Sequence, residues 1–367
     1  MNWSLLKRFD WLFLAAIFVL MGIGVAFIYS ASARTEEALQ ATKAGMQIVW
    51  VAVGLIAFFA VTLIDYEQVS ETAWGFYIVT IILLALVLVI GKKVYGAYRW
   101  LNLFGFKLQP SELAKLSVIV VLARFLTEPN RNMESPKTLF QVLAIVGIPS
   151  LFILKQPDLG TTMTLIPVAI VLLFVAGIPV RYLVILGVIG LVAMVPAWFA
   201  LGDYQRERLL VFVDSSRDPL GAGWNKMQSE IAVGSGGLTG KGYLMGTQNI
   251  LGFLPRTVAP TDFIFSVIAE EMGFVGSATL LSLFAVLILG GVRAAHCARD
   301  KMGRLMAVGV VTLLFSHVFV NMAMTVGLMP ITGIPLPLIS YGGSFMVCMM
   351  AALGLVQSVY VRRERRE

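Results

Sequence analysis

Long intervals without a single Asp, Glu, Lys or Arg constrain this chain more than any other feature. Asp10 and Arg34, Lys43 and Asp65, Glu71 and Lys92, Lys137 and Lys155, Asp158 and Arg181, Arg181 and Asp203, and Glu271 and Arg293 each bracket one such run. Between Arg304 and Arg362 there is room for two helices, divided by the helix-stopping group Pro330, Gly333, Pro335 and Pro337. About 20 mainly apolar residues cross a bilayer core, and only helices or closed barrels satisfy the backbone there. One further segment, from Leu108 to Phe125, is apolar in outline yet carries Glu112, Lys115 and Arg124. Counting it gives an all-α integral membrane protein of ten transmembrane helices. The whole chain, 1–367, reads as one transmembrane domain, with a long extracytoplasmic loop at 203–261 between spans seven and eight.

Composition closes off the alternatives. Hydrophobic residues make up 58% of the chain and charged residues 13%, against about 45–50% and about 25% in soluble domains. A water-soluble enzyme, a disordered chain and a free nucleic-acid-binding domain are excluded. Cys297 and Cys348 lie in different apolar segments, and His296 and His317 are the only histidines. Neither a disulfide framework nor a His-rich metal centre is expected.

Basic residues set the orientation. Lys7, Arg8, the Arg124, Arg131 and Lys137 group, Arg181, the 293–304 loop and the arginines of 362–366 share one face. They outnumber the basic residues of the short loops opposite by about two to one once the long 203–261 loop is set aside, because long loops translocate regardless of charge. Both termini are therefore expected in the cytoplasm. The Arg and Lys residues of the long loop then read either as a site for an anionic ligand or as a solvated face.

Ionisable groups within or beside spans are costly, and four places hold them. In Gln109-Pro110-Ser111-Glu112-Leu113-Ala114-Lys115, proline and an acid mark a helix start, and Glu112 and Lys115 share a face. A cap with an interfacial ion pair is the plainer reading. Asp158, in Lys155-Gln156-Pro157-Asp158-Leu159-Gly160, is placed to cap the next helix. The glycine-rich run 234–242, containing Ser235, Gly236, Gly237 and Lys241, fails the P-loop pattern, so no nucleotide is expected. Its backbone N–H groups could still form an anion concavity beside Arg206, Arg208 and Lys241, or the loop could simply be flexible. Finally, Asp262, Glu270 and Glu271 fall within ten residues where the chain re-enters the membrane. A helix starting at Asp262 would place Glu270 about 12 Å deeper. Asp262 could instead be an N-cap and the glutamates bundle glue.

In order, Gln109-Pro110-Ser111-Glu112 with Lys115, Gln156-Pro157-Asp158-Leu159-Gly160, Asp203-Tyr204-Gln205-Arg206 with Arg208, and Asp218-Pro219-Leu220-Gly221 with Gln228-Ser229 form a familiar set. It continues through Gly234-Ser235-Gly236-Gly237, Gly240-Lys241-Gly242, Gly246-Thr247-Gln248 and Thr261-Asp262-Phe263-Ile264-Phe265. It closes with Pro335-Leu336-Pro337 and Ser340-Tyr341-Gly342-Gly343-Ser344. The chain resembles the SEDS family (shape, elongation, division, sporulation) over nearly its whole length. The Gly-Lys-Gly and Gly-Thr-Gln elements look more like the elongation branch than the division branch.

The resemblance implies a peptidoglycan glycosyltransferase of the bacterial cytoplasmic (inner) membrane that polymerises lipid II at the extracytoplasmic face, for elongation and rod shape. It makes Asp262 the essential acid, here the general base. Lys115, Arg206, Arg208 and Lys241 would bind the diphosphate, with Ser235, Gly236, Gly237 and Ser344 in the substrate-binding motifs. Glu112 and Asp158 would orient Lys115 or hold a divalent cation such as Mg or Mn. A class B penicillin-binding protein is implied as transpeptidase partner, with MreC and MreD in the same complex. The family's Leu-Pro-Glu-x-His-Thr-Asp pattern is altered: this chain reads Leu254-Pro255-Arg256-Thr257-Val258-Ala259-Pro260-Thr261-Asp262, two residues longer and without the Glu or His. A lipid II flippase built on the same polar bundle is the competing class, and a non-catalytic scaffold is the third.

Overall fold

The structure is a computed structural model that describes residues 7–32, 37–94, 97–103, 106–255 and 258–363. Arg34, Arg256 and Thr257 of the altered loop, and Arg365 and Arg366 of the tail lie outside the described residues.

Helices dominate. In chain order they are α1 (Trp11–Ala31), α2 (Glu37–Leu63), the short α3 (Tyr66–Glu71), α4 (Ala73–Ile90), α5 (Pro110–Leu126), α6 (Pro136–Lys155), α7 (Leu159–Ala176) and α8 (Val180–Ala200). There follow α9 (Asp203–Val213), α10 (Ala222–Ser235), the single turn α11 (Thr247–Ile250), α12 (Ile264–His296), α13 (Lys301–Thr325) and α14 (Gly343–Val361). Among the described residues nine helices are long and apolar enough to cross a membrane. This is a multi-pass membrane protein. The charge-bearing α5, with 17 residues, packs inside the bundle against α4, α6, α7, α13 and α14. That burial explains how it carries Glu112 and Lys115, which would be costly facing lipid.

Central and peripheral helices differ sharply. Most of α13 and α14 is buried, whereas the α8 span has no buried residue, and its packed neighbour is α7. The two ends of the described chain meet at one end of the bundle. There Arg363 donates to the Arg8 carbonyl (2.8 Å), and Arg293 pairs with Asp10, the N-cap of α1. Nearby, Tyr66 is fully buried. Its hydroxyl donates to Asp300 (2.8 Å) and accepts from Arg299 Nε (2.8 Å).

The opposite end holds what was read as loop, and it is structured. Residues between α4 and α5 form an antiparallel three-stranded meander, β1 (Lys92–Val94), β2 (Ala97–Leu103) and β3 (Phe106–Leu108), with Leu101 opposite Leu108. The long 203–261 connection contains α9, α10 and α11. The Pro- and Gly-rich 326–342 segment is also more than a break between helices. Its Leu336, Leu338 and Ile339 are almost fully buried. It passes so close to α1 and α7 that a Cβ at Gly24 would stand 2.6 Å from the Leu338 carbonyl, and one at Gly160 2.8 Å from the Thr332 carbonyl. Protein covers this irregular backbone on both sides.

Candidate active site

Asp262 lies in the tight turn just ahead of α12. The helix begins at Ile264 with Phe263 as its N-cap, and the cap makes no side-chain hydrogen bond. The capping role considered for Asp262 is therefore unused, and its carboxylate is left to the site. The backbone around it is clamped. Its N–H donates to Val258 O (2.9 Å), and its carbonyl accepts from Asn321 Nδ2 (3.0 Å). Ser340 Oγ donates to Thr261 O (2.5 Å) and Tyr341 N–H to Pro260 O (2.9 Å). The 326–342 segment is thus the wall against which Asp262 is held.

Two guanidinium groups flank this carboxylate. Arg208, on α9, donates to Ile331 O (3.0 Å) and approaches Asp262 across Gly333. Arg99, on β2, donates to the carbonyls of Gln156 (3.1 Å) and Pro157. Burial pushes the Asp262 carboxyl up to about 6; Arg208, Arg99 and a hydrogen bond from Thr261 pull it back, and Asp158 adds to the rise. Asp158 does cap α7, accepting from Thr161 N–H (3.2 Å) and Thr161 Oγ1 (2.9 Å). Gln109 Nε2 also reaches it at 3.5 Å. Asp158 and Asp262 interact electrostatically, so the cap belongs to the site as well.

Glu112 and Lys115 are not at an interface. Lys115 is 2% and Glu112 5% exposed, their charges 2.8 Å apart. Lys115 Nζ also meets His317 Nε2 (2.9 Å) and lies over the Phe345 ring. Glu112 is within electrostatic reach of Asp158. A chain of ionisable groups therefore runs from buried Lys115 through Glu112 and Asp158 to Asp262.

Other expected residues go elsewhere. Arg206 donates to the last carbonyls of α8, Trp198 O (2.9 Å) and Phe199 O (2.6 Å). Ser344 Oγ donates to Lys107 O (2.5 Å) and accepts from Gln109 N–H (3.3 Å), tying α14 to the meander. Lys241 pairs with fully buried Glu270 (2.7 Å) and donates to Thr247 Oγ1 (2.7 Å). Glu271 accepts from Ser30 Oγ (2.5 Å) and Leu244 N–H (3.1 Å). The two glutamates are loop staples.

The glycine-rich run packs into α12. α12 is broken at Gly273 (φ 64°), and the loop docks its backbone into the break. Lys241 and Gly242 N–H donate to Glu270 O and Glu271 O (both 3.0 Å), while Phe274 and Val275 N–H donate to Gly237 O (2.9 Å) and Leu238 O (3.0 Å). A Cβ at Gly236 would meet Ala269 O at 2.0 Å, and one at Gly240 would meet Glu271 O at 2.1 Å. Ser235 Oγ donates back to Ala232 O in its own helix (3.0 Å). The glycines allow backbone to meet backbone, and the N–H groups of Lys241 and Gly242 are spent on helix carbonyls instead of an anion. Gly236, Gly237 and Lys241 thus pack their backbone against α12.

Three site residues escaped the sequence reading. Arg99 lies in a charged stretch between two apolar runs. His317 and Asn321 stand four apart in an apolar span, the i,i+4 spacing that puts both on one face. From the sequence, two lone histidines argue only against a His-rich metal centre.

This arrangement also decides kinship. The profile of the cell cycle protein family FtsW/RodA/SpoVE matches residues 10–365, taking in every element just described from Asp10 to Arg363. The chain belongs to the FtsW/RodA/SpoVE family. Among FtsW/RodA/SpoVE proteins, the peptidoglycan glycosyltransferase MrdB of Escherichia coli (strain K12) is 40% identical over 355 residues, covering 96% of this chain and 93% of MrdB. The fold matches, at a TM-score of 0.78 and 32% identity, a chain solved in work on the structural coordination of polymerization and crosslinking by a peptidoglycan synthase complex; 97% of this chain and 98% of that one are covered. Rod shape determining protein RodA of Thermus thermophilus matches at a TM-score of 0.72 and 28% identity over 100% of both chains. The family that the motifs resembled is the family the chain belongs to.

Proposed function

We propose that this FtsW/RodA/SpoVE member is a peptidoglycan glycosyltransferase of cell elongation, in the bacterial cytoplasmic membrane, that polymerises lipid II at the extracytoplasmic end of the bundle. The observation that carries the reading is Asp262, a carboxylate pushed up to about 6 with Arg208 and Arg99 beside it. A base and a pair of fixed cations in one place suit the transfer of a sugar from a diphosphate to a hydroxyl.

In the reaction, the 4-hydroxyl oxygen of the acceptor sugar attacks the anomeric carbon of the donor. Its proton passes to the Asp262 carboxylate, the C–O bond to the diphosphate breaks, and undecaprenyl diphosphate departs with the bonding electrons. The configuration inverts. A base whose pKa lies near the working pH gives the most effective proton transfer. Arg208 and Arg99 offset the charge that grows on the departing diphosphate. Asn321, Ser340 and Tyr341 hold the Asp262 backbone, so orientation is fixed before substrate arrives.

A divalent cation fits this donor set in one way only. No group of three or more His, Cys, Asp or Glu side chains suitable for a metal occurs among the described residues. Mg-like ions are commonly held by one or two carboxylates together with substrate phosphates, and Glu112 with Asp158 would supply those carboxylates. When bound, such an ion would neutralise diphosphate charge. The lipid-exposed α8, next to the Arg206–Arg208 stretch, offers an apolar flank for a polyprenyl tail. A class B penicillin-binding protein is the transpeptidase partner in this reading, in keeping with the synthase complex that contains the similar chain. MreC and MreD complete the elongation assembly.

The test uses the purified full-length chain in detergent or liposomes with fluorescent lipid II, products resolved on a gel. Glycan ladders from the wild type and none from Asp262→Ala are expected. Intact lipid II from a folded wild type, alone and with its penicillin-binding protein, would overturn the assignment and return the flippase reading.

A further inference from the structure

We propose that Asn321, assisted by His317, is a positioning residue that sets the spacing between Asp262 and Arg208. The proposal rests on the glycosyltransferase reading above and deepens it. Asn321 and His317 project from one face of α13 and are 0% and 1% exposed. Asn321 donates one amide hydrogen to Asp262 O (3.0 Å) and the other to Ile334 O (2.7 Å). Both neighbours are carbonyls, which can only accept, so the amide nitrogen must face them. Among the described residues its Oδ1 has no hydrogen-bond partner, which marks the side chain as held for its two donors. His317 takes the next carbonyl along, its Nδ1 lying 3.3 Å from Pro335 O, while Nε2 faces Lys115. The ring is stacked on Phe345 at 5.1 Å.

The consequence lies in what the 331–335 stretch carries. Arg208 is anchored to Ile331 O, and Gly333 stands between Arg208 and Asp262. One amide therefore ties the backbone of the acid directly to the strip that anchors its flanking cation. His317 links the same strip to the buried Lys115–Glu112 pair. A buried side chain that spends both donors on two loop carbonyls fixes their relative position, and the low dielectric strengthens each bond.

Asn321→Leu keeps the branched outline of the side chain and removes the donors; Asn321→Ala removes both. With lipid II as substrate, both variants should lower kcat by about tenfold to about a hundredfold, with KM changed by less than about twofold. The acidic limb of the pH–rate profile should move upward, because loosened Arg208 lowers the Asp262 pKa less. A space-filling role would tolerate leucine and leave that limb unmoved. Wild-type kcat and an unshifted limb in Asn321→Leu, with Asp262→Ala inactive in parallel, would overturn the clamp and leave the glycosyltransferase reading intact. A wild type that makes no polymer overturns that reading instead. Hydrogen exchange of the peptide covering 258–263 then judges the clamp without activity: faster exchange in Asn321→Leu supports it, and exchange equal to wild type overturns it.

Discussion

Arg208 and Asp262 approach each other across Gly333, where a Cβ would stand 3.4 Å from the Asp262 carboxylate and 3.9 Å from the Arg208 guanidinium. The residue between base and cation has no side chain, and its φ of 73° is one that other residues adopt only with strain. Gly333→Ala is expected to cost about 1–2 kcal/mol of stability through that backbone strain. The added methyl group should also lower lipid II polymerisation by about tenfold through misplacement of the pair. Thermal unfolding in detergent and initial polymerisation rates check the two effects separately.

The raised Asp262 pKa makes the pH dependence explicit. A general base works deprotonated, so activity should rise through about pH 6 and fall to about a tenth of its maximum one unit lower. Arg208 pulls the carboxyl down, so Arg208→Gln should move the acidic limb to higher pH as well as slow the reaction. A limb that stays in place would show that Asp262 is not the group titrating.

Lys115 and Glu112 form a buried pair, and breaking such a pair is worse than removing it. Lys115→Met alone should destabilise the protein by about 3–5 kcal/mol, because Glu112 stays buried without its cation. Lys115→Met with Glu112→Gln should recover most of that loss. If the pair also serves the reaction, the recovered double variant remains slow. Unfolding midpoints and polymerisation rates of the four members of the cycle distinguish a scaffold from a functional pair.

The loop docked into the α12 break offers a contrast between neighbouring glycines. Gly240→Ala places a methyl 2.1 Å from Glu271 O at a φ of 80°, a backbone clash that nothing flexible relieves. It should prevent recovery of folded protein. Gly242→Ala is also at positive φ, but its nearest neighbour is the Met245 side chain at 3.4 Å. A loss of about 1–2 kcal/mol, readable as a lowered unfolding midpoint, is expected there.

Charge spacing made the membrane helices legible, because the bilayer punishes charge wherever a span must lie. The same rule pointed to Glu112, Lys115, Asp158 and Asp262, residues whose cost in or beside a span asks for a reason. It served less well where the polar backbone of one segment serves another. Glycines that let a loop enter a helix break resemble glycines that cradle an anion, and only Gly273, far along the chain from Gly236, tells them apart. Lys241 and Glu270 likewise advertise chemistry from the sequence, yet they neutralise each other at 2.7 Å. Arg99 reaches the site because a small meander folds over it, a tertiary event with no local signature beyond the strand residues themselves. Asn321 was visible as a polar residue within an apolar span, but its partners, Asp262 O and Ile334 O, are backbone atoms that no side-chain pattern reveals.

The most direct measurement is the single-turnover rate of lipid II polymerisation by Asp262→Asn, on protein shown to bind lipid II as the wild type does. Asparagine keeps the shape and loses the base. Binding within about twofold of wild type, with a rate at least about a hundredfold lower, is the expected result for a general base. A rate near that of the wild type would contradict it and remove Asp262 from the chemistry.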